Sequence, residues 1–188
     1  MGRWEPDARG RLDRAALELY AERGFDQVTV AEIAARAGLT ERTFFRHYAD
    51  KREVLFAGQD DWTERFAAAV RDAPAGLAPL EVVARAVEVS AELLPEERRD
   101  RARIRNQVIG DNVELREREL VKLADLATVM ATALRARGVR DPAARLAAEA
   151  GLAAFGVAVD RWVAEGEKRP LRRLIRESFR QLKTVAAG

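Results

Sequence analysis

The segment 41–48 concentrates side chains that could bind a nucleic-acid surface. Arg42, Arg46 and His47 supply hydrogen-bond donors, and Phe45 adds an apolar edge. An arginine can hold the O6 and N7 atoms of guanine in a bidentate contact worth about 1–3 kcal/mol of discrimination between base pairs. The chemistry that these residues indicate is recognition of a DNA groove, with no bond made or broken.

A short helix would have to carry these side chains, with one of its faces closed by the chain itself. Phe44 and Tyr48 lie four residues apart, so a helix directs both toward the same side. Thr40 occupies the position of an N-cap, and Gly38 ends a preceding helix after about two turns. Two short helices around a glycine-containing turn form the helix-turn-helix pattern.

Two earlier helices provide the core on which this third helix would rest. The first, at about 9–23, has an apolar stripe at helical spacing, and the second covers about 30–37. Thr29 and Glu32 have the spacing of a capping box at the start of the second helix. The three helices therefore predict a small DNA-binding module at the N-terminal end of the sequence.

We assign roles on this module from side-chain chemistry. Arg42 is expected to bind a base edge, Thr43 to lie beside it, and Phe45 to pack on a thymine methyl group or a sugar. Contacts to phosphates set the register of the protein on the duplex and carry no sequence information directly. We expect phosphate contacts from Thr29, Thr40, His47 and Lys51, while Arg46 could face the DNA backbone or solvent.

The run from Phe25 to Lys51 resembles the DNA-binding signature of TetR-family regulators. It has GF-x3-T before the second helix, IA-x2-AG across it, and a threonine, two adjacent aromatic residues, a histidine–aromatic pair and a lysine through the third. The resemblance implies a two-fold dimer that binds a pseudopalindromic operator through the residues just assigned, apart from Arg46. The family often has tyrosine, whose hydroxyl contacts phosphate, where this chain has Phe45, so we expect no hydrogen bond from that position.

Proline and glycine divide the rest of the 188 residues into helices. Pro79, Pro95, Pro142 and Pro170 have the position of first helical residues, and Asp141 would cap the helix after it. We find no alternating β-branched stretch that would compete with helix. The sequence predicts an all-α fold of about nine helices, near 9–23, 30–37, 41–47, 51–72, 79–93, 96–108, 112–137, 142–166 and 171–186.

The predicted organisation has two parts: a three-helix DNA-binding domain at 1–52, and a helical bundle at 53–188 for ligand sensing and dimerisation. Gly151 and Gly156 would allow close helix approach in the bundle, and the resemblance places the dimer interface on its last two helices. The predicted dimer interface comprises Leu152, Phe155, Val159, Trp162, Leu174, Ile175, Phe179 and Leu182. The predicted ligand cavity is lined by Trp62, Phe66, Val89, Leu93, Arg105, Asn106, Met130 and Phe155.

The effector is expected to be an apolar or acyl-type small molecule. The stretch 114–118, with Arg161-Trp162 and Pro170-Leu171, is similar to a TetR subgroup thought to sense acyl-CoA-like ligands. The function expected from these features is that of a ligand-released bacterial repressor. Two other classes stay open: a helical ligand-binding module without DNA binding, and an enzyme that relies on carboxylates alone.

Composition narrows these classes. With no cysteine and one histidine, the chain lacks the parts of thiolate or histidine metal sites, and no nucleophile or nucleotide-binding motif is present, so we expect no metal, no cofactor and no enzyme. The 33 basic and 31 acidic residues nearly cancel, and the arginine-rich runs 98–105 and 168–180 are expected to be mainly solvated helix faces. No apolar leader occurs in 1–11, and the uncharged run 150–159 is too short to cross a bilayer, so we expect a cytoplasmic protein without a membrane partner.

Overall fold

Helical periodicity organises residues 7–188, which the computed structural model describes apart from the side chains of Gln59, Asp60 and Ser90. The predicted all-α fold is confirmed for this part of the chain. Residues 1–6 belong to the predicted first domain and to the segment 1–11 that was expected to contain no apolar leader, and they lie outside the described residues. The helices are α1 (Ala8–Arg23), α2 (Val30–Arg36), α3 (Glu41–His47), α4 (Gln59–Arg71), α5 (Pro79–Ser90), α6 (Arg99–Gly110), α7 (Val113–Ala136), α8 (Ala143–Val163) and α9 (Leu171–Ala187).

The single helix predicted at 51–72 is wrong. A short 3₁₀ turn at Glu53–Phe56 comes first, and α4 begins only at Gln59. Between them Gly58 has a φ of 79°, a left-handed conformation that stops a right-handed helix and that glycine adopts without steric cost. The periodic apolar pattern runs through this break, so periodicity alone could not locate it.

Glycine and proline mark the other helix ends with different accuracy. Gly24, Gly38 and Gly138 all have positive φ, as expected for residues that follow a helix end. Pro79 is the first residue of α5, whereas Pro142 is the residue before α8. The predicted cap by Asp141 is wrong, because α8 has no side-chain cap and this carboxylate instead accepts a 2.9 Å hydrogen bond from Arg135.

The first of two compact units comprises Met1–Gly58 and Ile104–Glu117. Its core contains fully buried Leu12, Ile33 and Phe44 from the first three helices and Leu115 from α7. Burying each such side chain stabilises the fold by about 1.5–3 kcal/mol relative to leaving it in water. The helix-turn-helix therefore shares its core with the α6–α7 junction.

The second compact unit comprises Gln59–Arg103 and Arg118–Gly188. Its core includes Phe66, Met130 and Trp162, all at most 1% exposed. Gly151 of α8 lies against α5 so closely that an added Cβ would be 2.2 Å from Cγ1 of Val83. No helix in 7–188 combines the length and hydrophobicity needed to cross a bilayer. The functional boundary after residue 52 stays a prediction.

Candidate functional site

The outer face of α3 carries the side chains expected to meet DNA. The side chains of Arg42, Arg46 and His47 are exposed and make no hydrogen bond or ion pair within residues 7–188, and Phe45 is 55% exposed. Phe44 is fully buried and Tyr48 nearly so. The inward and outward faces of the predicted recognition helix are thus placed as expected, with donors available to a partner.

Caps and an inward anchor hold α3 in this orientation. The Thr40 hydroxyl accepts a 3.2 Å hydrogen bond from the amide of Thr43, which makes it the predicted N-cap, and it also lies 3.1 Å from the Thr43 hydroxyl. At the other end the Tyr48 hydroxyl donates to Asp13 of α1 and accepts from Arg9. Burial, followed by the hydrogen bond to Asp13, raises the pKa of Tyr48. Asp13 and Arg9 belong to no sequence motif and had not been singled out.

The start of α2 is held by the predicted capping box. The Thr29 hydroxyl accepts from the amide of Glu32 at 3.3 Å, and the Glu32 carboxylate accepts from the Thr29 amide at 2.8 Å. Hydrogen bonds to the carboxylate from the amide and the hydroxyl of Thr29, with a further one from Arg23, lower the pKa of Glu32 to about 2. The Thr29 hydroxyl, which also binds the carboxylate at 2.8 Å, is therefore engaged within the protein; its phosphate contact stays a prediction.

Lys51 has a different environment from the one expected of a phosphate ligand. Its Nζ lies 2.9, 3.4 and 2.8 Å from the backbone oxygens of Phe25, Asp26 and Val28. The same nitrogen is 4.4 Å from the centre of the Phe25 ring. The phosphate contact of Lys51 stays a prediction, but all three ammonium protons have acceptors inside the chain.

Several arginines of the run 98–105 are also engaged within the chain. Arg99 donates to the carbonyls of Glu167 and Arg169 and lies against the Trp162 ring, and Arg103 donates to the carbonyl of Val163 at 2.7 Å. The run was expected to be mainly a solvated helix face, and these two residues depart from that expectation because their guanidinium groups contact the chain itself. Their guanidinium groups satisfy backbone acceptors at the end of α8 and in the loop after it, so they are not available as a second DNA-binding patch.

Part of the predicted ligand cavity coincides with the core of the second unit. The rings of Trp62 and Phe66 are 6.3 Å apart, those of Phe66 and Phe155 6.1 Å, and Met130 is buried in the same cluster. Val89 is 48% exposed on α5, and Leu94 packs on this core where Leu93 had been expected.

The two polar residues of the predicted cavity, Arg105 and Asn106, lie in the first unit. Arg105 donates to the carbonyl of Leu55 at 2.7 Å and stacks over the Phe56 ring. The structure therefore brings four of the eight predicted residues together in one cluster. All eight assignments to a ligand remain predictions.

The predicted dimer interface consists largely of residues that their own chain covers. Three of its residues are partly buried, namely Phe155, Val159 and Leu182. The other five are buried: Leu152, Trp162, Leu174, Ile175 and Phe179. An atom that its own chain encloses has little surface left for a partner.

The opposite face of α8 is the apolar surface that sequence analysis missed. It exposes Leu146 and Val157, with Ala153 and Gly156 between them. The signal was present in the sequence, because α8 has small or apolar residues on more than one face.

Comparison with known proteins identifies both ends of the chain. Residues 14–57 match the family model of bacterial regulatory proteins of the tetR family, and residues 77–187 match the model of the MftR C-terminal domain. The regulator TcmR of Streptomyces glaucescens is 41% identical over 75 residues, which are 40% of this chain and 33% of TcmR. The alignment thus spans only about a third of that relative's length.

Solved structures extend the similarity over nearly the whole chain. The FadR repressor of Thermus thermophilus in complex with lauroyl-CoA is 26% identical, covers 93% of both chains and has a TM-score of 0.55. The triclosan complex of SmeT, a repressor from Stenotrophomonas maltophilia, shares the fold with a TM-score of 0.68 at 21% identity, over 95% of this chain and 90% of SmeT. The MftR C-terminal model alone spans more than half of the residues of this chain. The chain therefore belongs to the TetR family of DNA-binding transcriptional regulators and not to a family of enzymes.

Proposed function

We propose that this protein is a ligand-released repressor that binds a pseudopalindromic operator as a homodimer. The observation that carries the proposal is the outer face of α3, where Arg42, Arg46 and His47 project from a helix anchored by Phe44 and have no partner in the part of the chain that the structure describes. Donors that are free and already oriented bind a groove without first breaking an internal contact. Because bacterial DNA lies in the cytoplasm, we place the protein there.

Sequence preference would come mainly from Arg42. It lies in the first turn of α3, and in helix-turn-helix proteins the N-terminal residues of the recognition helix contact base edges. Thr43 and the exposed ring of Phe45 would complete the base contacts, while Thr29, Thr40, Arg46 and His47 would lie near phosphates. Since the threonine hydroxyls already serve as helix caps, any phosphate they bind must share them with the caps.

Dimerisation would use the exposed face of α8. Leu146 and Val157 are at least half exposed, and the small residues Ala153 and Gly156 between them let another helix approach closely. A symmetric contact of this kind is self-complementary, because the same patch serves both copies. Two copies are needed to bind two half-sites one helical turn apart, which is how helix-turn-helix dimers read palindromes.

The effector would enter the aromatic cluster of Trp62, Phe66 and Phe155. Its apolar character fits an acyl or aromatic molecule, and the structural neighbours FadR and SmeT bind lauroyl-CoA and triclosan respectively. Ligand would favour a dimer whose recognition helices no longer fit successive major grooves. To shift the ratio of released to DNA-binding protein from 1:99 to 99:1, the effector must bind the released state more tightly than the DNA-binding state by about 5.5 kcal/mol.

The test is selection of genomic DNA fragments by the purified protein, followed by binding titrations on the enriched site. We expect a two-fold symmetric sequence whose recognition relaxes at one base pair per half-site in Arg42→Ala, by about 1–3 kcal/mol of lost discrimination. Arg180→Ala is the matched control, since it removes an exposed arginine from α9. An enriched site without symmetry would contradict the dimeric operator, and equal weakening on all sequences in Arg42→Ala would contradict the base contact.

The sensor half is tested on the same operator. Lauroyl-CoA and triclosan serve as probes, and Phe155→Ala should raise the concentration of the active probe that releases half of the DNA. An operator affinity that neither probe changes would count against an acyl or aromatic effector of this type.

A further inference from the structure

Three backbone carbonyls converge on one point in the first unit, and the ammonium group of Lys51 occupies it. The oxygens belong to Phe25, Asp26 and Val28, at 2.9, 3.4 and 2.8 Å from Nζ. The Phe25 ring lies 4.4 Å from the same nitrogen, in range for a cation–π contact. An ammonium has three protons and no acceptor, so this arrangement uses its full bonding capacity.

The carbonyls belong to the loop that leads into α2. This loop follows Gly24 and ends at Thr29, the N-cap of α2, and Val28 is the residue directly before that cap. On another side the loop borders a cleft of about 390 Å³, which Phe25 and Asp26 line. Phe25 and Val28 are buried in the core, but packing does not cover the loop on the side of the cleft, where hydrogen bonds to its carbonyls add to the restraint.

Lys51 is well placed to supply that restraint. It lies four residues after the end of α3, and its own carbonyl accepts a 2.7 Å hydrogen bond from the Tyr20 hydroxyl of α1. One residue thus connects α1, the start of α2 and the chain leaving α3. These are the elements that set the angle between the two helices of the helix-turn-helix.

We propose that Lys51 is a positioning residue for DNA binding, whose ammonium binds the carbonyls of Phe25, Asp26 and Val28 in place of a DNA phosphate. The inference rests on the proposed operator binding, and it differs from a phosphate contact in a measurable way. To bind a DNA phosphate, Lys51 would first have to give up its charge-assisted hydrogen bonds inside the protein, and such bonds are stronger than neutral ones. Removing Lys51 should therefore weaken DNA binding by displacing α2, without changing the number of phosphates that the protein neutralises.

The salt dependence of binding separates the two roles. Each phosphate contact contributes about 0.9 to the slope of log K against log salt on duplex DNA, so losing one per protomer would lower a dimer's slope by about 1.8. For Lys51→Met, which keeps an unbranched apolar chain, we expect operator affinity to fall about tenfold with an unchanged slope. Arg52→Met is the matched control, because it removes the same charge one residue later from an exposed ion pair with Asp50.

Lys51→Arg provides a second distinction. Arginine keeps the charge and binds phosphate well, but its planar guanidinium does not match three converging carbonyls. We expect Lys51→Arg to lose affinity as Lys51→Met does, again at constant slope. Wild-type affinity in Lys51→Arg, or a slope lowered by about 1.8 in Lys51→Met, would overturn the proposal in favour of a phosphate contact.

Amide hydrogen exchange of the DNA-free protein gives a readout that does not need an operator. Residues 25–33 should exchange faster in Lys51→Met than in wild type or Arg52→Met, while the buried part of α1 stays protected. If the wild type binds no operator but this local change occurs, the positioning role stands and the proposed function fails. Unchanged exchange in 25–33 would refute the positioning role whatever the DNA result.

Discussion

Replacing Val157 with serine tests which face of α8 joins two copies of the chain. Val157 is 50% exposed on the face that also carries Leu146. Burying a whole valine side chain stabilises by about 1.5–3 kcal/mol, so covering the exposed half contributes roughly 0.75–1.5 kcal/mol. A two-fold interface contains the residue twice. The expected loss is roughly 1.5–3 kcal/mol, equivalent to a dimer roughly tenfold to a hundredfold weaker.

Analytical ultracentrifugation across a series of protein concentrations measures the dissociation constant of the dimer directly. Val113→Ser is the matched control, since Val113 is an equally apolar residue, 58% exposed at the start of α7, and belongs to the first unit and not to α8. Both substitutions lie on the surface of the monomer and should change its own stability by less than about 0.5 kcal/mol. A dimer unchanged by Val157→Ser, or weakened equally by Val113→Ser, would refute the assignment of the interface to this face.

Two further experiments test a packing contact in the second unit and a charge in the first. Gly151→Ala should lower the free energy of unfolding by up to about 2 kcal/mol, since overpacking against Val83 costs about 1–3 kcal/mol and better helix propensity offsets about 1. In a urea double-mutant cycle Val83→Ala should cost less in the Gly151→Ala background; additive losses would contradict the contact. The pKa of Glu32 is lowered from 4.5 to about 2, so its ionised carboxylate stabilises the fold fully above pH 4.5. This stabilisation is lost as the pH falls from 4.5 toward 2. Melting curves should therefore show the advantage over Glu32→Gln shrinking across that interval, and a constant difference would show that the carboxylate charge plays no part.

Local rules predicted the parts of the site that depend on neighbouring residues. The capping box of Thr29 and Glu32, the cap at Thr40 and the inward direction of Phe44 and Tyr48 all follow from spacings of three or four residues. Such spacings are set by the geometry of a single helix turn. The same rules failed at Gly58, because a glycine inside a periodic pattern is compatible with either a continued helix or a break.

Long-range choices could not be made in this way. The period of α8 shows which residues share a face, yet both Leu152 and Val157 lie on apolar faces, and only packing against α5 and α9 decides which is buried. Lys51 poses the same difficulty, since its acceptors lie 23 to 26 residues earlier in the chain. A side chain whose partners are distant in sequence has no local signal of its role.

The contacts that cationic side chains make inside the chain explain why total charge is a poor guide to the DNA-binding face of α3. A helix leaves its last four carbonyls without partners, and here arginines from other elements supply donors: Arg137 to Arg71 at the end of α4, and Arg103 to Val163 at the end of α8. A guanidinium engaged in this way keeps its positive charge, but its donors are held by backbone carbonyls and are not free to bind a phosphate. Arg42 and Arg46 on α3 have no such partner within residues 7–188. The cations that can contact DNA directly are therefore those whose side chains the fold leaves unengaged within residues 7–188, and the near balance of 33 basic and 31 acidic residues does not reveal them.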